Sequence, residues 1–194
     1  MKSSGWILAI VVLGSMTFKS PDKTLKNLQK AYQQEAYQMK KYELFSIKAK
    51  AEGYAEIADL FHAASTSESV QMKNHQRVIE NMGSQVESSG YREVSIKSTK
   101  ENLKESVKDK DFYNEMVAQA KDDKLSDAKE SLDFAKEAEQ QHVKLFQDAA
   151  QNIENYPDGD YYVSQETGAT YKIEKGTKAD KGNTSYDQYL KTEN

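Results

Sequence analysis

Glu35, Glu68, Glu105, Glu139 and His142 have the types and spacing to hold metal, with Gln71 and His75 beside them. Each Glu falls on the apolar stripe of a separate helix-forming stretch. Glu139-Gln-Gln-His142 puts a carboxylate and an imidazole one turn apart on a single face. A carboxylate is costly to bury unless a cation meets it. Four of them carry about four negative charges, which two divalent ions would neutralise, and bridging carboxylates can hold two such ions close together. Bundles that hold a pair of iron or manganese ions use one Glu from each of two helices and Glu-x-x-His from each of the other two. Here Glu68-x-x-Gln71 offers an amide where the second imidazole is expected.

Any one of these Glu residues has a simpler explanation: it lies near a helix end, tilts to solvent, or meets a Lys. Four together, near the middle of four stripes, resist that explanation. His75 lies one turn beyond Gln71, an axial step of about 5.4 Å, so it either reaches toward the cluster or fills the bundle. Among the 12 tyrosines, Tyr32 and Tyr42 share the stripe of Glu35. Their hydroxyls would bond to a carboxylate or a bound oxygen species, or to any nearby core partner.

Four helices must position the set. From Thr24, the residues Leu25, Leu28, Tyr32, Glu35, Met39, Tyr42, Ser46 and Ala49 recur at three- and four-residue steps, with Gly53 as the stop. A second stripe runs Ile57, Phe61, Ala64, Glu68, Gln71, His75, Val78 and Met82 to Gly83. Ser98 and Glu101 form a capping box that starts a third helix, whose weaker stripe is Glu105, Lys108 or Asp109, Phe112, Met116 and Ala120. The fourth is Ala128, Leu132, Ala135, Glu139, His142, Phe146, Ala149 and Ile153. A shift of the chain by 71 residues lays Glu68 on Glu139 and Gln71 on His142, which pairs the second helix with the fourth. Pro157-Asp-Gly159 then breaks the helix, and strand-like segments around Gly168 predict a hairpin.

Lys2, an apolar run from Trp6 to Leu13 and small residues to Thr17 have the order of a secretory signal, and the run is short of the ~20 residues of a membrane span. The expectation is an exported protein, periplasmic or extracellular, with a retained N-terminal anchor as the alternative. Its 194 residues divide into a signal over 1–20, a bundle over 21–155, a hairpin over 156–175 and a polar, mobile tail over 176–194. The 27 Lys and Arg are interspersed with 31 Asp and Glu, which describes a solvated surface and gives no support to nucleic-acid binding. With no Cys, disulfides contribute nothing, and stability must come from packing, metal or association.

Lys30-Ala-Tyr-Gln-Gln-Glu35-Ala, Tyr42-Glu-Leu-Phe45, Ala49-Lys-Ala-Glu-Gly53-Tyr54 and Glu68 resemble the first half of rubrerythrin. Asp111-Phe-Tyr-Asn, Ala120-Lys-Asp-Asp and Glu139-Gln-Gln-His142 are similar to its second half. The resemblance covers roughly 24–153 and implies an all-α, antiparallel four-helix, ferritin-like bundle with a small C-terminal β-hairpin. It also implies a homodimer whose di-iron centre reduces hydrogen peroxide. Carried over by position, Glu35, Glu68, Glu105, Glu139 and His142 match the family's ligands; Gln71 stands in place of His and Lys108 in place of a further Glu. Ser164 and Thr167 stand where the family's rubredoxin-like knuckle has Cys, so a four-thiolate iron site and its electron relay are excluded.

Two expectations follow. One is an exported metal protein that binds one or two iron or manganese ions, has peroxidase-type or metal-oxidising chemistry and takes electrons from an external donor. The other is a non-catalytic envelope binding or structural bundle that kept the scaffold and lost its metal centre. A storage shell is a more distant alternative.

Overall fold

The computed structural model describes residues 22–88, 90, 92–107, 112–175 and 189–192. The expected signal over 1–20 and the Lys108 position lie outside the described residues. Among the described residues, no helix is long and apolar enough to cross a membrane.

The chain forms α1 (Asp22–Ala51), α2 (Ala55–Asn81), α3 (Thr99–Ser106), α4 (Asn114–Asp122) and α5 (Ser126–Gln151), then β1 (Gly159–Ser164), β2 (Thr170–Glu174) and β3 (Tyr189–Thr192). Gly53, at φ +86°, lets the Tyr54 N–H turn back to the Ala49 carbonyl at 3.0 Å and close the end of α1. So short a connection makes α1 and α2 antiparallel neighbours. Helix α2 packs on α5, and α3 and α4 lie against α5 and α1.

The third helix differs from expectation, being two pieces. The capping box is present, with the Ser98 hydroxyl accepting from the Glu101 N–H and the Glu101 carboxylate from the Ser98 N–H. Helix α3 buries Asn102, Leu103 and Ser106 instead of turning Glu105 inward. Beyond Val107 the run Lys108-Asp-Lys-Asp111 offers no apolar side chain to carry the stripe on, and Phe112 opens the next piece. Burial resumes at Met116 and Ala120 of α4, in the expected register.

Two apolar clusters stack along the bundle. One gathers Tyr42, Phe45, Phe61 and Phe146; the other gathers Leu28, Val78, Ile79 and Leu132. Between them lies a layer of buried polar side chains: Glu35 and Gln38 from α1, Gln71, Asn74 and His75 from α2, and His142 from α5. The expected carboxylate layer is therefore sandwiched between dry cores. This placement raises the cost of any charge left unmet there.

The expected hairpin is part of a three-stranded antiparallel sheet in the order β2-β1-β3. Residues 189–192 were expected to belong to a mobile tail. They instead pair along β1, with Val163 opposite Leu190 and Ser164 opposite Tyr189. The free edge of β1 is a template for a strand, and an alternation of Leu190 with Lys191 suffices to use it.

Candidate metal centre

Helix geometry brings Glu68 of α2 and both Glu139 and His142 of α5 together, because the two helices pack through those faces. One ligand atom from each lies within 4.8 Å of the others. That span suits a cation with bonds of about 2.1 Å after small side-chain movements. Glu68 and His142 are buried, with Glu68 Oε1 3.4 Å from His142 Nδ1. Glu35, also buried, joins from α1 and accepts a hydrogen bond from the Tyr113 hydroxyl, which arrives just ahead of α4.

The electrostatics are those of crowded acids in a dry layer. Burial first, and then the neighbouring Glu68 charge, hold Glu35 well above the usual carboxylate range. As carboxylates both residues only accept hydrogen bonds, so neither can donate to the other; one proton on Glu35 removes the conflict. Burial pushes Glu68 up as well. The His142 imidazole and its charge outweigh that and leave Glu68 below its ordinary value. Burial and Glu68 push the Glu139 carboxyl up to about 7. For His142, burial works against the charged form, and the Glu68 carboxylate 3.4 Å away reverses that and raises the imidazole.

Several buried polar atoms here have no hydrogen-bond partner: Glu35 Oε2, both oxygens of Glu68, Gln38 Oε1 and His142 Nδ1. Buried polar groups are ordinarily satisfied, and a cluster of orphaned acceptors on converging side chains is what a cation repairs. The set of three carboxylates and one imidazole therefore fits a divalent ion such as iron or manganese.

The other expected ligands are placed elsewhere. Glu105 is about a third exposed and pairs with Lys97 at 3.6 Å, at the mouth of the site and outside the converging group. Its helix ends one residue later, so the buried face of α3 falls to Leu103 and Ser106. Gln71 is fully buried but gives its Nε2–H to the Thr167 carbonyl, leaving Oε1 without a donor. His75 fills the bundle: Nδ1 lies 2.8 Å from the Ser131 hydroxyl, its ring stacks near Tyr113, and burial lowers its pKa to about 3. It stays a neutral ring.

Gln71 belongs to a row on α2. Ser67, Gln71 and Asn74 donate in order to the carbonyls of Gly168, Thr167 and Glu166, with Ser67 Oγ at 2.6 Å and Asn74 Nδ2 at 2.8 Å. The Thr167 N–H donates to Ser164 Oγ at 3.1 Å, so a side-chain hydroxyl holds this turn. Thr170 follows, its N–H bonded to Gln141 Oε1 at 2.9 Å and its Oγ1 3.3 Å from His142 Nε2.

Four residues escaped the sequence reading: Gln38, Lys41, Tyr113 and Thr170. Gln38 and Lys41 flank the α1 stripe at one turn from Glu35 and one residue from Tyr42, a signal available in hindsight. Tyr113 and Thr170 arrive by tertiary contacts that no local spacing encodes.

A cavity of about 70 Å³ opens over the cluster, with Glu139, Gln38, Lys41 and Tyr42 among its lining and Glu105 and Lys136 at its rim. It has room for a few water-sized molecules. Burial, followed by the charges of Glu139, Glu68 and Glu35, raises Tyr42 well above its normal value, which keeps its hydroxyl protonated.

Comparison with known proteins places this geometry. A search of curated proteins found no match. Solved structures of nigerythrin in its partially reduced, mixed-valence and fully reduced states superpose with TM-scores of 0.75, 0.76 and 0.75. They are 22% identical and cover 99% of this chain and 100% of theirs, which establishes a shared fold. The rubrerythrin family profile matches residues 26–150, spanning all the helices that carry the cluster. With that match and its converging Glu and His side chains, the chain belongs to the rubrerythrin family of di-iron-type metal-binding proteins.

Proposed function

We propose that this chain is an exported, homodimeric rubrerythrin-type protein that binds iron, or manganese in its place, through Glu68, Glu139 and His142 with Glu35 alongside. We further propose that it reduces peroxide at that centre with electrons from an external donor. The observation that carries the proposal is the convergence of three ligand atoms within 4.8 Å in a layer whose acceptors are otherwise orphaned.

A redox metal held by Glu68, Glu139 and His142 would relay donor electrons to an O–O bond. The protein's part is to admit and orient a small oxidant. The cavity has room for a molecule of peroxide size. Tyr42, held protonated, presents a hydroxyl donor beside Glu139, and Gln38 Nε2 steadies it at 3.4 Å. Two electrons and two protons convert one peroxide into two waters. The electrons must come from outside, since the chain has no Cys for an iron–thiolate relay.

The purified, reconstituted protein, reduced chemically and mixed with peroxide, should turn over with metal bound. Absence of bound metal after reconstitution, or metal without peroxide consumption, would sink the corresponding part of the proposal. Export is tested separately, by N-terminal sequencing of the protein recovered from the cell envelope, and association by sedimentation.

The engagement of Gln71 with Thr167 favours a second reading, in which the scaffold persists as a non-catalytic envelope bundle. That reading predicts a melting temperature indifferent to iron and to chelators, whereas metal binding to the native state adds RT ln(1 + [L]/Kd) of stability.

A further inference from the structure

The two ring nitrogens of His142 meet different neighbours. Nδ1 lies 3.4 Å from Glu68 Oε1 and has no hydrogen-bond partner, whereas Nε2 lies 3.3 Å from Thr170 Oγ1 of the C-terminal sheet. Aromatic packing limits the tilt of the ring, since the Tyr42 and Phe146 ring centroids are 6.4 and 6.2 Å from that of His142. Ring contacts of this kind do not choose between the nitrogens.

Thr170 makes that choice. A cation that takes Nδ1 needs its lone pair, so the ring proton must sit on Nε2 and meet an acceptor there. The Thr170 oxygen is free to accept because its own hydrogen has an outlet in the Gly168 carbonyl, 3.4 Å away. That carbonyl is anchored, accepting from Ser67 Oγ at 2.6 Å. The donors therefore run in order, from Nε2–H to Oγ1 and from Oγ1–H to the main chain. Half a revolution of the ring about its Cβ–Cγ bond would set carbon against both Thr170 and Glu68.

Helix α5 holds Thr170 in return. The Thr170 N–H donates to Gln141 Oε1 at 2.9 Å, and Thr170 pairs with Val163 across β1. Gln141 precedes His142 by one residue, so the helix that carries the imidazole also grips the strand that carries its acceptor. Thr170 is only 5% exposed, which keeps water from competing for the Nε2 proton. Ser67, Gln71 and Asn74, by contrast, give their hydrogen bonds to main-chain carbonyls of the turn.

We propose that Gln141 and Thr170 are positioning residues for the metal, holding His142 as the Nε2–H tautomer with its Nδ1 lone pair presented toward Glu68 and Glu139. The C-terminal sheet is then a working part of the centre. This deepens the proposed metal-binding reading and rests on it.

The test is calorimetric titration of the full chain with Mn(II) and Zn(II), joined to nitrogen NMR of the His142 ring in the Zn(II)-loaded protein. The wild-type ring should be metal-bound at Nδ1 and carry a slowly exchanging proton on Nε2. Gln141→Met and Thr170→Val should each lower affinity about 10–100-fold, the usual effect of losing the partner behind a ligand imidazole. Thr170→Ser, which keeps the hydroxyl, should restore most of it, and the Nε2 proton should exchange faster in Thr170→Val. Ser67→Ala, which loosens the turn alone, should lower the melting temperature and leave affinity unchanged. Wild-type affinity in either folded variant overturns the inference and leaves the metal-binding reading intact. So does a ring bound through Nε2, or a loss in Ser67→Ala equal to theirs. If neither variant folds, the ring spectrum of the wild-type protein decides. No binding of either ion to the wild-type chain overturns the metal reading itself, and this inference with it.

Discussion

Gln71 Nε2 donates to the main-chain carbonyl of Thr167, tying the middle of α2 to the turn of the C-terminal hairpin. A position expected from the sequence to offer a weakened metal ligand serves here as a structural tie. Gln71→Ala should therefore cost about 1–3 kcal/mol of stability, the price of orphaning a buried carbonyl, and leave metal content unchanged. Denaturant midpoints and metal analysis check this together. A variant that loses metal would show that the Gln71 carbonyl oxygen is a ligand.

Gly168 sits at φ +70°, and a Cβ there would come 2.3 Å from Gln71 Nε2. Gly168→Ala should destabilise by more than about 1 kcal/mol, from strain in the left-handed region and from the collision. In a Gln71→Ser background the collision is relieved, so a double-mutant cycle should return a favourable coupling energy. Additive effects would mean that the turn is not seated on Gln71.

Thr170→Val keeps the shape of the side chain and removes the hydroxyl 3.3 Å from His142 Nε2. Partners behind a ligand imidazole fix its ring orientation, and their loss typically costs about 10–100-fold in metal affinity. We expect that loss with little change in the melting temperature of the metal-free protein. Retained affinity would assign Thr170 a packing role alone.

Glu139 is the proposed ligand that faces the cavity, and Glu139→Gln should reduce metal affinity and with it the gain in melting temperature on metal addition. An unchanged gain would exclude Glu139 from the ligand set.

His75 gives the metal-free protein an acid-sensitive element. Its pKa is lowered to about 3 in the fold by burial, against about 6.5 when unfolded. The unfolded state therefore binds more protons in between. The stability contributed by neutral His75 is complete above about pH 6.5 and declines, by roughly 1 kcal/mol for each pH unit, as pH falls toward 3. Glu139, raised to about 7, runs oppositely, contributing below the ordinary carboxylate range and losing that contribution as pH rises through 7. The difference between wild type and His75→Asn isolates the histidine. Parallel stability curves between pH 4.5 and 6.5 would refute the assignment.

The stripes of α1, α2 and α5 were legible because each has an apolar period near 3.6, closed at Gly53 and Gly83 in the first two, and Glu35, Glu68, Glu139 and His142 sit mid-stripe. The rest was hidden for stated reasons. Glu105 shares the spacing but not the burial, because α3 ends at Ser106 and turns a different face inward. Gln71 reads as a weakened ligand by position, and its bond to Thr167 spans 96 residues of sequence. Lys41 looks like one more surface charge in a chain with 30% charged residues, until its neighbours on other helices enclose it. Strand β3 is short and polar, and its pairing is set by the free edge of β1 rather than by its own composition.

The row of donors on α2 also gives the bundle a direction. With the hairpin turn seated against Ser67, Gln71 and Asn74, and Thr170 backed onto His142, that flank is closed by main chain. The opposite flank, where Glu139 floors the cavity between α1, α3 and α5, is the approach left among the described residues. Under the proposed function, metal loading, oxidant entry and the departure of water would share that approach, and whatever occupies the space above Glu139 would set the pace of everything behind it.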